Sequence, residues 1–70
     1  MTLPEKQMAV YNAIQQCQRG RGYTPSVREI GDMIGTSGNT AAVHIRRMAE
    51  RGVLRRVHAR HIILEDINGK

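Results

Sequence analysis

The sequence contains no tryptophan and no phenylalanine, and its single cysteine is Cys17. A core without these rings must be built from aliphatic side chains, with Tyr11 and Tyr23 as the only aromatic candidates. One cysteine excludes an internal disulfide and a cysteine-based zinc site, and is typical of a reducing compartment. We therefore expect an aliphatic core in a protein of the cytoplasm.

Long apolar runs are also missing. No stretch approaches the roughly 20 apolar residues that a transmembrane helix requires, and the N-terminus lacks the apolar segment of a signal peptide. Seventy residues suffice for one small domain. We place this domain at residues 1–65, followed by a polar tail at residues 66–70, and expect the protein to be soluble.

Positive charge is concentrated in one part of the chain. Residues 1–45 hold four basic and three acidic residues, whereas residues 46–60 hold six arginines and one acidic residue, Glu50. The six are Arg46, Arg47, Arg51, Arg55, Arg56 and Arg60. Arginine binds phosphates and base edges through a planar fork of donors. The cluster therefore predicts a polyanionic partner, usually nucleic acid, and the alternative is a solvated surface.

The first predicted helix starts from a capping box formed by Thr2 and Glu5 and ends near Gln18. A segment with two glycines and a proline, RGRGYTP at residues 19–25, then breaks the chain. The residues that fall on the predicted core side are Val10, Tyr11, Ala13, Ile14 and Cys17.

The second predicted helix has its own capping box, formed by Ser26 and Glu29. Gly31 lies in its middle, where glycine costs about 1 kcal/mol relative to alanine. This position predicts close approach by another helix. Gly35 predicts a left-handed C-cap. The predicted buried stripe consists of Val27, Ile30, Met33 and Ile34.

The third predicted helix follows after only three residues, Gly35 to Ser37, which indicates a helix-turn-helix. Ser37 is its expected N-cap. Gly52 and Val53 predict a Schellman motif at its end. The expected core side is Ala41, Ile45, Met48 and Ala49. The expected outer side is Asn39, Val43, Arg46 and Glu50, flanked by Thr40 and Arg47.

β-Branched residues at both ends of VLRRVHARHIILE predict a β-hairpin with strands near residues 53–57 and 61–65. Three helices followed by a two-stranded hairpin form a winged helix-turn-helix. The expected fold class is therefore mainly α with a small β-hairpin that forms the wing.

DNA is the partner that this layout indicates. Short polar residues at the start of the third helix, Ser37, Asn39 and Thr40, predict contacts to base edges in the major groove, and the Asn39 amide suits adenine. Side chains around this helix and the hairpin predict phosphate contacts that fix the register. These candidates are Ser26, Arg28, His44, Arg46, Arg47, Arg55, Arg56, His58, Arg60 and His61.

A resemblance to one known family extends along nearly the whole chain and is carried by four segments. They are KQMAVYNAIQQ, GYTPSVREIGDMIG, SGNTAAVHIRRMAERGVLRR and IIL. These segments resemble the N-terminal DNA-binding domain of the LexA repressor family, and TPSVREIGDMIG combined with AERGVLRR is fairly specific. The resemblance implies sequence-specific repression of transcription at a double-stranded DNA operator, within the SOS response, in a bacterial or phage-infected cytoplasm. The positions that match the base contacts of the family are Ser37, Asn39, Thr40, Ala42 and Val43.

The chain departs from this family in three respects. The turn before the third helix is one residue shorter than in many members. Ala42 and Val43 are apolar where relatives often carry charge or histidine, which predicts a different operator with thymine methyl groups. The self-cleaving serine/lysine protease domain, which provides dimerisation, has no counterpart in these residues. An excised domain and a small standalone regulator, as in a phage, both stay open, as does a homodimer on an inverted repeat.

Other classes of function are less favoured. A winged helix can also bind proteins, and its basic face would then meet an acidic partner. Cys17 lies at a core position rather than at a nucleophile site, and the pair His58 and His61 is too few ligands for a metal. The apolar side of the third helix, opposite its basic residues, is a side that packs in a protein core and is not wide enough to bind a lipid surface. We expect no enzymatic activity, cofactor, metal, membrane contact or small-molecule substrate.

Overall fold

Three helices are followed by two antiparallel strands. The structure is a computed structural model that describes residues 3–58 and 61–65, and for Val57, His58 and His61 it describes the backbone alone. The elements are α1 (Glu5–Gly20), α2 (Val27–Ile34), α3 (Gly38–Glu50), β1 (Leu54–His58) and β2 (His61–Leu64). This order confirms the winged helix-turn-helix, and we call β1 and β2 together the wing.

The core is aliphatic, as the composition predicted, and all three helices and the wing contribute to it. Tyr11 is 7% exposed and adds an aromatic ring, whereas Tyr23 lies on the surface at 36%. Cys17 is buried, as its helical position predicted. The largest fully buried side chains are Val10, Ile14, Ile30, Ile45, Met48, Val53 and Leu54. Among the described residues, no helix combines the length and apolarity needed to cross a bilayer.

Helix α1 differs from the prediction at both ends. It begins at Glu5, with Pro4 at the N-cap and no side-chain capping bond. The predicted capping box is therefore wrong, and Thr2 lies outside the described residues. Proline suits this position because the first helical N–H groups have no intrahelical partner in any case. The helix continues to Gly20, beyond the predicted end, and the turn contains Gly22 with φ +75°.

The capping box of α2 is confirmed. Glu29 N–H donates to Ser26 Oγ at 3.1 Å, and Ser26 N–H donates to Glu29 Oε1 at 3.2 Å. The predicted buried stripe is right for Ile30, which is fully buried, but Met33 is 45% exposed. Met33 lies at the edge of the contact with α1, where its Sδ is 3.7 Å from Cys17 Sγ. Met33 therefore lies on the surface beside α1 and does not enter the core.

The turn between α2 and α3 packs directly on Gly31. Gly35 ends α2 in the left-handed region at φ +78°, as predicted, and Thr36 N–H donates to Gly31 O at 2.8 Å. A Cβ atom at Gly31 would lie 2.8 Å from Thr36 O and 2.9 Å from Ser37 O. The predicted close approach is therefore real, but the neighbour is the backbone that leads into α3 and not the body of a helix.

Helix α3 begins and packs mostly as predicted. Ser37 is its N-cap and accepts from Thr40 N–H at 3.1 Å. Ala49 was expected on the core side but is exposed, because it lies in the last turn at the edge of the buried arc. The buried side chains of the helix are Ala41, Ile45 and Met48.

The wing leaves α3 through the predicted Schellman motif. Val53 N–H donates to Met48 O and Gly52 N–H donates to Ala49 O, both at 3.1 Å. Gly52 has φ +78°, which favours glycine because it lacks a Cβ atom. The two hydrogen bonds turn the chain sharply and bring Val53 into the core. The strands then begin close to the predicted ranges.

The two faces of the wing carry different side chains. Arg55 pairs with Ile63 and Arg56 pairs with Ile62, with an irregularity between Arg56 and His58. Paired residues share a face of a sheet and successive residues alternate between faces. Ile62 is buried in the core, so Arg56 lies on the same, inner face of the wing. Arg55 and Ile63 lie on the outer face.

Replacing Gly31 with alanine tests the contact with the turn. Gly31→Ala is expected to lower the free energy of unfolding by roughly 1–3 kcal/mol, since the new methyl group meets two backbone carbonyl oxygens. The control is Gly20→Ala, where a Cβ atom would meet nothing within 4 Å. There, helix propensity alone should stabilise by up to about 1 kcal/mol. Urea unfolding followed by circular dichroism measures both, and a stabilising Gly31→Ala would contradict the contact.

The capping box of α2 predicts how stability responds to acid. The hydrogen bond from Ser26 N–H, and after it the one from the Tyr23 hydroxyl, hold the pKa of Glu29 below its ordinary value of 4.5. A carboxyl whose pKa is lowered by folding stabilises the protein above its unfolded pKa, and this contribution is lost as pH falls through the folded pKa. The melting temperature should therefore fall below about pH 4.5, and Glu29→Gln should weaken this fall.

Asp32→Asn is the matched control, since it removes a carboxylate of the same helix that makes no hydrogen bond within the described residues. The measurement is the melting temperature of the three proteins from pH 7 to pH 3. Parallel curves for the unmodified protein and Glu29→Gln would show that the capping carboxylate has no such role.

Candidate nucleic-acid interface

The N-termini of α2 and α3 lie side by side. A Cβ atom at Gly38, the first residue of α3, would be 3.5 Å from Arg28 Cα near the start of α2. Each helix N-terminus carries free N–H groups and the positive end of the helix dipole, which attract anions. The helix-turn-helix therefore presents two positive ends together, with Ser26 and Ser37 as their N-caps.

The polar side chains at the start of α3 are exposed, but they are not equally available. Ser37 Oγ accepts from Thr40 N–H at 3.1 Å and donates to Thr40 Oγ1 at 3.0 Å. The hydroxyl hydrogen of Ser37 is thus used within the protein, while Thr40 keeps its own hydrogen to donate. Asn39 is exposed and makes no hydrogen bond among the described residues, so its whole amide faces outward.

The outer side of α3 changes from polar to basic along its length. Ala42 follows the polar start and is exposed, whereas Val43 is partly buried. Arg46 and Arg47 are exposed near the C-terminal end, as predicted. One helix face therefore offers amide and hydroxyl groups first, then small apolar groups, and then guanidinium groups.

The remaining helical candidates differ in what they can offer a phosphate. Ser26 Oγ accepts from Glu29 N–H, and its hydroxyl group also interacts with the Glu29 carboxylate. Arg28 is exposed. His44 is partly buried, and its Nδ1 is buried without a hydrogen-bond partner in the described structure. Only Nε2 of His44 is therefore available for a contact outside the protein.

The two neighbouring arginines of β1 lie in different surroundings, which the sequence did not indicate. Arg55 Nε lies 2.8 Å from Glu65 Oε1 on the outer face of the wing. Arg56 is exposed and borders a cleft between the wing and the start of α2, together with Thr24 and Ser26. Of the two, Arg56 lies next to the N-terminal end of α2.

Three candidates lie in sequence between the end of β1 and the start of β2. His58 and His61 pair with each other in the strand register, but their side chains are not among those described. Arg60 lies outside the described residues. Their predicted phosphate contacts stay predictions.

Two side chains of α1 hold the wing in place, and the sequence analysis missed this role. Gln18 Nε2 donates to Ile62 O at 2.6 Å, and the Tyr11 hydroxyl donates to Glu65 O at 2.8 Å. A signal was present, because residues seven apart lie on one side of a helix and a buried tyrosine hydroxyl requires a partner. The wing is thereby attached to the core and not only to the end of α3.

Gln7 was also missed. It is the buried polar side chain of α1, and its Oε1 accepts from Arg51 Nη1 at 3.5 Å. This contact turns the Arg51 guanidinium towards α1. Arg51 therefore differs from Arg46 and Arg47, whose side chains make no such contact among the described residues.

Comparison with known proteins agrees with this geometry. The family model of the LexA DNA binding domain matches residues 1–61. The LexA repressor of Staphylococcus aureus strain USA300 is 44% identical over 55 residues, which cover 77% of this chain and 27% of that protein. The LexA repressor of strain Mu3 shows the same identity and coverage. The chain thus spans about a quarter of the length of these relatives.

The matched family is defined by DNA binding. Three features of the structure suit this activity: the exposed face of α3, the neighbouring helix N-termini and the exposed arginines. The match covers all three helices and most of the wing. The chain therefore belongs to the LexA DNA-binding domain family.

Proposed function

We propose that the chain binds a specific double-stranded DNA operator and represses transcription from it. The similar Staphylococcus aureus proteins are named repressors, and repression is carried over to this chain as part of the proposal. The observation that carries it is the outer face of α3, which is exposed, begins with Asn39 and Thr40 and ends with arginines. Such a face combines groups that distinguish bases with groups that hold the backbone.

In this proposal α3 lies in the major groove, which is about 12 Å wide and admits a helix. The Asn39 amide both donates and accepts, as the major-groove edge of adenine requires, and Thr40 supplies a further donor. Ala42 and Val43 contact thymine methyl groups. Ser37 acts at the edge of this surface, where its main contribution is to cap α3 and orient Thr40.

Phosphate contacts surround the base contacts and set the register. The starts of α2 and α3 supply N–H groups, with Ser26 and Arg28 beside them. The end of α3 supplies Arg46 and Arg47, and the wing supplies Arg56. The further proposed phosphate contacts are His44, His58, Arg60 and His61, while Arg55 is engaged by Glu65 in the free protein.

Selection of bound sites from a pool of random duplexes would define the operator. We expect one shared half-site, and a repeat of it in opposite orientation would mean that two copies bind as a homodimer on an inverted repeat. Stoichiometric titration of the selected duplex then counts the bound copies. A selected pool without any shared sequence would contradict sequence-specific binding.

The salt dependence of binding to random duplex DNA measures the phosphate contacts. If about five phosphates are neutralised, the logarithm of the binding constant should fall against the logarithm of salt concentration with a slope of about −4.5. Arg56→Ala should flatten this slope by about 0.9. Arg55→Ala is the matched control, since it removes the same charge one residue away, and it should change the slope little.

Fluorescence anisotropy at several salt concentrations gives these slopes. Equal slopes for Arg56→Ala and the unmodified protein would show that Arg56 makes no phosphate contact. A slope near zero for the unmodified protein would remove DNA as the partner and favour an acidic protein instead.

Asn39→Ala tests the base contacts. The substitution should weaken binding to the selected operator by about 1–3 kcal/mol, since the amide that pairs with adenine is lost. Binding to random DNA should barely change, because the phosphate contacts remain. Asn12→Ala, at an exposed asparagine of α1, is the control and should leave both affinities unchanged.

The measurement is a paired titration of operator and random DNA at one salt concentration. An equal loss on both DNAs would mean that Asn39 holds the backbone or the fold. No loss on either would move the base contacts to neighbouring positions of α3.

A further inference from the structure

Glu65, at the end of the wing, binds one of the arginines in the basic cluster. Its Oε1 lies 2.8 Å from Arg55 Nε. The Arg55 side chain is 66% exposed and the Glu65 side chain is 42% exposed. An exposed pair of this kind contributes little to stability. The pair does change the charge of the wing, because Arg55 and Glu65 together are neutral whereas Arg55 alone would be a cation.

The position of Glu65 is set by the core and not by the pair. Glu65 N–H donates to Val53 O at 3.0 Å, and Glu65 O accepts from the Tyr11 hydroxyl at 2.8 Å. Val53 is fully buried and Tyr11 nearly so. Both backbone groups of Glu65 are therefore held, and the carboxylate starts from a backbone that cannot drift away from β1.

The neighbouring Arg56 has no such partner among the described residues. Glu29 borders the same cleft as Arg56, but its two carboxylate oxygens accept from Ser26 N–H and the Tyr23 hydroxyl. Of these two adjacent arginines, one is therefore neutralised and the other has no carboxylate partner within the part of the chain that the structure describes.

We propose that Glu65 limits the affinity of this domain for the DNA backbone by occupying Arg55, and that Tyr11 is the positioning residue that keeps Glu65 there. A phosphate that binds Arg55 through Nε must displace the carboxylate already in place, so this arginine contributes less to phosphate binding in the intact protein than an arginine without a partner would. Part of the sequence-independent binding is thereby suppressed, while the base contacts of α3 are unaffected. The inference rests on the proposed DNA binding.

Glu65→Gln is the first test, because it removes the charge and keeps both backbone hydrogen bonds. Binding to random duplex DNA at 0.1 M salt should tighten roughly three- to tenfold, and the salt slope should steepen by about 0.9, as expected for one further phosphate contact. The same substitution in an Arg55→Ala background is the control. In that background, the loss of a negative charge still reduces repulsion from DNA and can raise the affinity. No arginine is released, however, so the salt slope should not change.

Tyr11→Phe is the second test, since it removes the hydroxyl that holds Glu65 O and leaves both charges in place. We expect a change of slope in the same direction as for Glu65→Gln but smaller, together with a melting temperature lower by a few degrees. A lower melting temperature with an unchanged slope would mean that Tyr11 acts on stability alone, which would overturn its positioning role.

Two results would overturn the role of Glu65. One is a change of slope that is the same with and without Arg55, which would reduce the effect to general repulsion. The other is weaker binding by Glu65→Gln, which would mean that Glu65 orients Arg55 onto a phosphate. A slope near zero for the unmodified protein would instead contradict the proposed DNA binding itself, so the two failures are distinguishable.

Discussion

The packing of the turn against Gly31 is the constraint on which the rest of the DNA-binding surface depends. Two backbone carbonyl oxygens occupy the space that a side chain at Gly31 would need. Glycine lowers the helix propensity of α2 at this position. Because it has no Cβ atom, the backbone of the turn can pack directly against α2. This close approach sets the direction in which α3 leaves the turn. The neighbouring helix N-termini and the outward face of α3 both follow from it.

The groups that cap the helices also lie at the proposed DNA surface. Ser26 and Ser37 each accept a backbone N–H three residues further on, so each side chain is held in one orientation before any partner binds. The Ser26 hydroxyl also interacts with the Glu29 carboxylate, whereas the Ser37 hydroxyl donates to Thr40 Oγ1. Two residues of the same type and position in their helices therefore have different neighbours, a carboxylate for Ser26 and a hydroxyl group for Ser37.

The wing determines which positive charges are available. It is attached to the end of α3 by the Schellman motif and to α1 by Gln18 and Tyr11, so its faces have a defined orientation. Alternation along β1 then separates Arg55 from Arg56. One meets a carboxylate and the other lies beside the start of α2. The number of arginines in the sequence is thus an upper limit on the number available to bind phosphates, because pairing with carboxylates within the protein occupies some of them.

The sequence alone determined the order of elements, the turn between α2 and α3, the caps at Ser26, Gly35, Ser37 and Gly52, and most of the core. These features depend on neighbours within a few residues, so local patterns carry them. The exposure of Met33, the contact partner of Gly31, the anchoring of the wing by Tyr11 and the pairing of Arg55 with Glu65 were decided by the tertiary structure. Each depends on which segments distant in sequence meet, and Tyr11 and Glu65 are 54 residues apart.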